Sequence, residues 1–374
     1  MRFADIIGQD NIKQHLINTV KENRISHAQL FHGKPGYGSL PLAIAYAQYI
    51  NCPNRTDTDS CGTCPSCRQI SQLAYPDLHF VFPVITSGKD KPVSDTFFKQ
   101  WAEFILQNPY ASYQQWLNYL DAGNSQGLIR VDESSEIIRK LTMKTFSAEY
   151  KIMIIWFPEK MNTEAANKLL KLIEEPYEKT LFILVADDAE SIISTIISRT
   201  QKVKISRIDD NSIMSGLEKK LSIDTQTAKD IARISEGDFN LALEYGGESS
   251  ELVENLQLFI ELMRTSYSFK AVNMIQLAEK LGGLGREKQK NFLAYCERMI
   301  RENLVLNQKL TNIVRFTSDE GDFAQKFSQF VHLGNSGSIA QEFDKAFYHI
   351  SRNANAKIVF LDTIIKLARC LRLQ

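Results

Sequence analysis

No charge of one sign dominates this chain: 44 Lys and Arg stand against 44 Asp and Glu in 374 residues, for a formal net charge of zero. A global basic field that would draw the whole surface to nucleic acid is therefore absent, and any DNA contact has to be local or shared with partner subunits. Long hydrophobic runs are absent too. The longest, around Ile152–Phe157 and Leu181–Ala186, fall far short of the ~20 apolar residues that span a bilayer, so no membrane span is expected. The opening MRFADIIGQD lacks the apolar core of a signal peptide, and a cytoplasmic protein is expected. Cysteine is scarce and unevenly placed: of six, four crowd into Cys52, Cys61, Cys64 and Cys67. In a reducing cytosol that crowding speaks against disulfides and for a metal.

What is present is a rhythm. A helical stretch around Asn11–Glu22 precedes a short strand at Ala28–His32, a glycine-rich turn and a helix near Pro41. Further strands are expected at Asp77–Val84, Tyr150–Trp156, Thr180–Ala186 and Lys202–Ile205, with helices at Asp132–Lys144 and Thr163–Glu175. Strands alternating with helices imply βαβ units and a parallel sheet covered on both faces. The apolar runs suit strands buried on both sides.

Residues 86–126 interrupt that rhythm with Gly88, an aromatic-rich amphipathic portion (Phe97, Phe98, Trp101, Phe104, Trp116, Tyr119) and a polar segment. They read as an insertion with its own helices, whose aromatics pack into the core rather than stack on bases. After Ser206 strand-like runs vanish. The expected layout is an α/β domain at 1–207, a small helical domain at 208–248 and an all-α domain at 249–374.

The stretch His32-Gly33-Lys34-Pro35-Gly36-Tyr37-Gly38-Ser39-Leu40 follows the first strand and opens a helix, the place and nearly the spelling of a phosphate loop. Gly33, Gly36 and Gly38 keep the turn permissive, yet the chemistry is missing. Ser39 stands where a lysine reaches the β- and γ-phosphates, and Leu40 where a hydroxyl ligates Mg²⁺. By itself the stretch is equally compatible with a plain glycine turn. The buried strand Lys151–Ile155 runs into Trp156 and Phe157, where a P-loop ATPase carries Asp-Glu. Glu159 comes two residues late, beyond Pro158, and is misplaced for a general base. Phosphoryl transfer depends on positioning and charge neutralisation, so losing lysine, Mg²⁺ ligand and base together makes hydrolysis, and ATP as a cofactor, unexpected.

The four clustered cysteines have the spacing C-x8-C-x2-C-x2-C, and four thiolates in so short a span can close a tetrahedral structural zinc site. Gly62 and Pro65 permit its turns, while Cys296 and Cys370 read as buried packing residues.

Several stretches together resemble the clamp-loader subunits of the AAA+ family. They are Phe3-Ala4-Asp5-Ile6-Ile7-Gly8-Gln9, Arg24-Ile25-Ser26-His27-Ala28 and the long run Asn162–Pro176, similar to the family's AANALLKxLEEP. Ser198-Arg199-Thr200 is similar to the family's Ser-Arg-Cys motif, with Thr200 replacing the cysteine. Gly237–Ala242 resembles its sensor-2 motif, with Asn240 at the arginine position. The likeness covers residues 1 to about 245, and the rest matches in length and helicity only.

The losses at Ser39, Leu40, Trp156, Phe157 and Asn240 point to the delta-prime type, which keeps the fold without hydrolysis. The resemblance implies an AAA+ parallel-sheet domain with a zinc module at 52–67, then a helical lid and a C-terminal collar. It implies tau/gamma-type ATPase and delta subunits as partners, and through them a sliding clamp and primed DNA. Arg199, which could otherwise balance a helix end, then becomes an arginine finger acting on a neighbour's ATP, a role worth roughly 10³–10⁵ in rate.

Two other classes remain open: an active ATPase of the tau/gamma or helicase-motor type, and a zinc-containing nucleic-acid-binding module. Arg130, Arg139, Lys140 and Lys144 could face DNA, although Glu133 and Glu136 between them favour a solvated helix face. Asp187 and Asp188 read as capping or turn residues.

Overall fold

The computed structural model describes residues 1–86, 92–122, 125–143, 145, 148–247 and 249–372; Gly88, Lys144 and the expected domain edge at Glu248 lie outside the described residues. The described residues group into two compact units, Met1–Ser222 with Ser235–Leu243, and Ile223–Ile234 with Glu244–Gln374.

The first unit opens with α1 (Asp10–Lys21), β1 (Ala28–His32), α2 (Ser39–Ile50), α3 (Pro65–Ser71) and β2 (Leu78–Val81). Then come α4 (Ser94–Gln107), α5 (Tyr113–Tyr119), α6 (Val131–Thr142), β3 (Lys151–Trp156), α7 (Thr163–Glu174) and β4 (Thr180–Ala186). It closes with α8 (Ser194–Ile197), β5 (Gln201–Lys204) and α9 (Asp210–Leu221). The strands form one parallel sheet in the order β2-β3-β4-β1-β5.

The period of two along each strand divides the core. Ile152, Ile154 and Trp156 of β3, with Leu181, Ile183 and Val185 of β4, meet α1, α2 and the aromatic α4–α5 segment. Met153 and Ile155, with Phe182, Leu184 and Ala186, meet α6, α7 and α8 on the opposite face. All seven residues of β4 are buried, as the unbroken apolar run implies. Every residue of α2 is buried as well. Asn162 caps α7 by accepting the Ala165 amide at 2.9 Å.

Two expectations shift. Strand β2 ends at Val81 rather than Val84; just beyond it the Phe82 amide donates to Ser94 Oγ at 3.0 Å and the Phe82 carbonyl accepts the Ser94 hydroxyl at 3.1 Å. Val84 makes an isolated antiparallel bridge to Leu128 instead. Strand β5 begins at Gln201, one residue earlier than expected. The 86–126 segment does carry helices, and its aromatics join the sheet core: Phe82 stacks on Trp101 with centroids 4.7 Å apart, and Trp116 is fully buried. Tyr119 is the partial exception, 42% exposed while stacking on Trp116.

The second unit is helical among its described residues: α10 (Thr225–Ile234), the end of α11 (Phe239–Gly247), α12 (Ser249–Ser268), α13 (Ala271–Gly282), α14 (Arg286–Asn307), α15 (Ser318–Phe327), α16 (Ser336–Ser351) and α17 (Ala356–Cys370). Phe259, Phe292, Phe343 and Phe360 anchor its own core, and Cys296 lies buried among them. Arg298 is ion-paired with the buried Glu320 there. No helix among the described residues is long and apolar enough to cross a membrane.

Candidate functional site

In a parallel sheet the loops that follow the strands gather at the carboxyl edge, and ligands bind there where the strand order reverses. Here β1 lies between β4 and β5, so the Gly33–Gly38 loop sits at that edge. His32 pairs with Ala186 and Trp156 with Val185, which aligns the phosphate-loop position, the ends of β3 and β4, and Asp187. The three places where the sequence reading looked for chemistry are therefore brought together.

Two of the loop glycines lie close against other parts of the chain. Gly36 has φ +72°, and a methyl group built on it would lie 1.7 Å from Asp238 Oδ1. The Phe239 amide donates to the Gly36 carbonyl at 3.1 Å, and Asp238 Oδ1 also accepts the Leu241 amide at 2.9 Å, capping the start of α11. Gly38 (φ +92°) faces the ring of Tyr110, 3.0 Å from the same kind of probe methyl. Tyr110 accepts the Ile7 amide at 2.9 Å and packs edge-on against Phe239 at 5.0 Å. Burial pushes its phenol well above the usual range. The Gly33 amide donates to the Ala186 carbonyl.

At the start of α2, Ser39 and Leu40 are buried, and the Ser39 hydroxyl has no protein partner among the described residues. Asn240, at the sensor-2 position, accepts a hydrogen bond from Asn108 at 2.8 Å.

Across the loop, Trp156 and Phe157 are each only 3% exposed. Phe157 has φ +57°, a left-handed backbone that a bulky residue adopts only when its surroundings hold it there. Its ring packs edge-on against Tyr113 at 5.4 Å, so the 86–126 segment covers the place where a water-activating acid would stand.

Glu159 accepts the amides of Asp187 and Asp188 at 3.0 and 3.3 Å, and burial raises its carboxyl pKa. Asp188 caps the following turn as expected, through the Glu190 amide at 3.0 Å. Asp187 lies in the bend that follows β4, as a turn residue. Burial, then the charges of Glu159 and Asp238, push it up to about 7. Acidic groups thus ring a position where polyphosphate would need positive charge, and like charges in a low-dielectric cleft repel strongly.

Arg199 follows α8 on the face covered by α7. Its Nε lies 2.6 Å from Glu174 Oε1, and its Nη1 donates to the Thr195 carbonyl at 3.0 Å and to Ser198 Oγ at 3.3 Å. The guanidinium remains 41% exposed, so it can meet a second molecule.

Apart from this cleft, the four cysteines converge. Their sulfurs all lie within 4.8 Å of one another, with Sγ···Sγ distances of 3.5 Å (Cys52–Cys61), 4.0 Å (Cys52–Cys64) and 3.9 Å (Cys61–Cys67). A tetrahedral ion with sulfur bonds of ~2.3 Å has edges of about 3.8 Å, so the quartet could hold a metal. Backbone amides reinforce the fit: Cys61 N donates to Cys52 Sγ, Cys64 N to Cys61 Sγ and Cys67 N to Cys64 Sγ, at 3.3–3.5 Å. The Thr63 and Cys64 amides draw the Cys61 thiol down to about 6. Asp59, inside the cysteine segment, accepts the Phe3 and Ala4 amides at 3.1 and 2.9 Å, tying it to the chain start.

The cations of α6 do not form an open basic face. Lys140 is paired with Asp95 and Arg139 with Glu136, while Arg130 donates to the Val84 carbonyl. Sequence reasoning missed Asp238, Tyr110 and Glu174. Asp238 lies inside the sensor-like stretch already singled out, and Glu174 ends the Asn162–Pro176 run, but no local pattern signals their partners.

A phosphate-loop position on a five-stranded parallel sheet defines the class; comparison with known proteins gives the family. Residues 8–209 match the family described as DNA polymerase III, delta subunit. The chain belongs to that family. It is 28% identical over 247 residues to DNA polymerase III subunit tau of Bacillus subtilis, covering 65% of this chain and 36% of that protein. It is 27% identical over 205 residues to subunit delta' of the same organism, covering 55% of this chain and 50% of that one. The chain thus spans about a third to a half of these relatives' lengths. Among solved structures, a DNA polymerase III gamma subunit-related protein from Thermotoga maritima aligns over 96% of this chain and 99% of its own, at 14% identity and a TM-score of 0.39.

Proposed function

We propose that this chain is a non-hydrolysing, delta-prime-type subunit of a replicative clamp loader. In this reading it scaffolds a complex that places a sliding clamp on primed DNA. Its partners are tau/gamma-type ATPase subunits and a delta subunit, and it works in the cytoplasm. The observation that carries the reading is the set of side chains at the loop and strand ends. Asp238 stands against Gly36, and Ser39, Leu40, Trp156 and Phe157 hold the positions where a hydrolase carries its lysine, Mg²⁺ ligand and acids. Those four side chains offer no charge to a transferring phosphoryl group, whose neutralisation is the main work of such a site.

The family match and the sheet order support an AAA+ domain at 1–207. A lid at 208–248 and an oligomerising collar at 249–374 complete the proposed layout, although the compact units group α9 with the sheet and α10 with the later helices. The Cys52, Cys61, Cys64 and Cys67 shell is proposed to hold a structural zinc ion. Its donor set and edge lengths support that metal. Its role is to brace the segment between α2 and α3, and it takes no part in chemistry.

Arg199 is proposed as the finger offered to the ATP of a neighbouring subunit. Its exposure and its place in the Ser-Arg-Thr motif support the role. Reconstitution with tau/gamma-type and delta subunits tests it. Arg199→Ala should leave assembly intact by gel filtration and remove the contribution of the served site, since a finger is worth roughly 10³ or more there. Undiminished ATP hydrolysis would refute the role, and Mg²⁺-dependent turnover by the isolated chain would refute the non-hydrolysing assignment.

A further inference from the structure

Arg199 is a long side chain at a surface, and a free guanidinium there samples many rotamers. Holding one ready costs up to ~2 kcal/mol of side-chain entropy. The structure supplies three restraints. Glu174 Oε1 takes Nε at 2.6 Å, and the Thr195 carbonyl and Ser198 Oγ take Nη1. The second terminal nitrogen, Nη2, donates no hydrogen bond among the described residues. Nε and Nη1 are therefore engaged, and Nη2 is the nitrogen left to meet a second molecule.

The place of Glu174 is informative. It is the last residue of α7, where the helix carries its partial negative charge and an acidic side chain is unfavourable. Both partners are more than two-fifths exposed, and pairs of that kind contribute little to folding. Neither helix stability nor fold stability accounts for a carboxylate at this point.

We propose that Glu174 is the positioning residue for Arg199, fixing the guanidinium plane so that its Nη2 meets the phosphates of a neighbouring subunit's nucleotide. The inference rests on the arginine-finger reading and adds to it a residue that never touches the nucleotide. Because small misplacements of a catalytic group already cost up to ~100-fold, loss of the anchor should lower turnover at the served site by roughly tenfold and leave the ATP KM unchanged.

The test uses the reconstituted complex with Glu174→Gln, Glu174→Lys, Arg199→Ala and the Glu174→Gln/Arg199→Ala double variant, each checked for assembly. Expected is a kcat loss in Glu174→Gln and a larger one in Glu174→Lys, which repels the guanidinium. The double variant should be no slower than Arg199→Ala alone, because an anchor has nothing to position once its partner is gone. Unchanged kcat in both Glu174 variants, equal rates for the two, or additive losses in the double variant would overturn the proposal while leaving the finger in place. Full activity of Arg199→Ala would overturn the finger, and this inference with it.

Discussion

Gly36→Ala probes the close approach of Asp238 to the loop directly. The backbone at Gly36 has φ +72°, and placing an L-residue there costs roughly 1–2 kcal/mol. The added methyl would also meet Asp238 Oδ1 at 1.7 Å and Cγ at 2.3 Å, so the carboxylate must move. Asp238 cannot swing aside freely, because the same oxygen caps α11 through the Leu241 amide. Losing such a cap costs ~0.5–2 kcal/mol. The combined expectation is a destabilisation of about 2–4 kcal/mol.

The three tryptophans, Trp101, Trp116 and Trp156, all lie in the first unit, so urea unfolding followed by tryptophan fluorescence reports on that unit. The double variant Gly36→Ala/Asp238→Ala sharpens the result. With the carboxylate gone the clash is relieved, and the double variant should be at least ~1 kcal/mol more stable than the summed single effects predict. Additive effects, or a Gly36→Ala cost within ~0.5 kcal/mol of zero, would show that Asp238 does not occupy the loop.

Restoring the missing letters should not restore the site. The Ser39→Lys/Leu40→Thr variant is expected to show no ATP binding by calorimetry, because Asp238 still crowds Gly36 and Trp156 and Phe157 still stand in place of the acids; micromolar binding would refute that account. Asp187, held up to about 7 from an ordinary 3.8, retains its proton more tightly folded than unfolded. Its contribution to stability is thus fully present below about pH 4 and is lost as pH rises through about 7. Asp187→Asn should therefore be stabilising by on the order of 1–3 kcal/mol at pH 8, with the gain shrinking toward pH 4; a pH-independent effect would refute this. The purified chain should carry about one zinc ion, since four thiolates close one tetrahedral shell. Cys64→Ser should release it and loosen the contact of Asp59 with the chain start, seen as faster amide exchange at Phe3 and Ala4. Full metal retention would exclude Cys64 as a ligand.

Most of the first unit was legible because strong patterns specify it. The apolar runs at Ile152–Trp156 and Leu181–Ala186 can be satisfied only between two covering layers, and the βαβ rhythm makes the sheet parallel. Element ends were less legible. Strand β2 stops where the Phe82 backbone bonds Ser94 instead of a strand, and the edge strand β5 shifts by a residue. The cysteine spacing foretold convergence because all four thiols sit within one short segment. Asp187 sits in the expected bend after β4, but burial, and then the charges of Glu159 and Asp238 brought close by the fold, raise its pKa, which no local pattern signals.

By itself, the sequence determined what chemistry the phosphate-loop position lacks. Ser39 cannot supply a lysine, Leu40 a hydroxyl, or Trp156 and Phe157 carboxylates in any fold, because side-chain identity is local. Only the tertiary structure decided what takes the vacant role. Asp238 against Gly36, Tyr110 against Gly38 and Glu174 beside Arg199 are pairs distant in the chain, and their meeting depends on the strand order and on how the helices pack over the sheet edge.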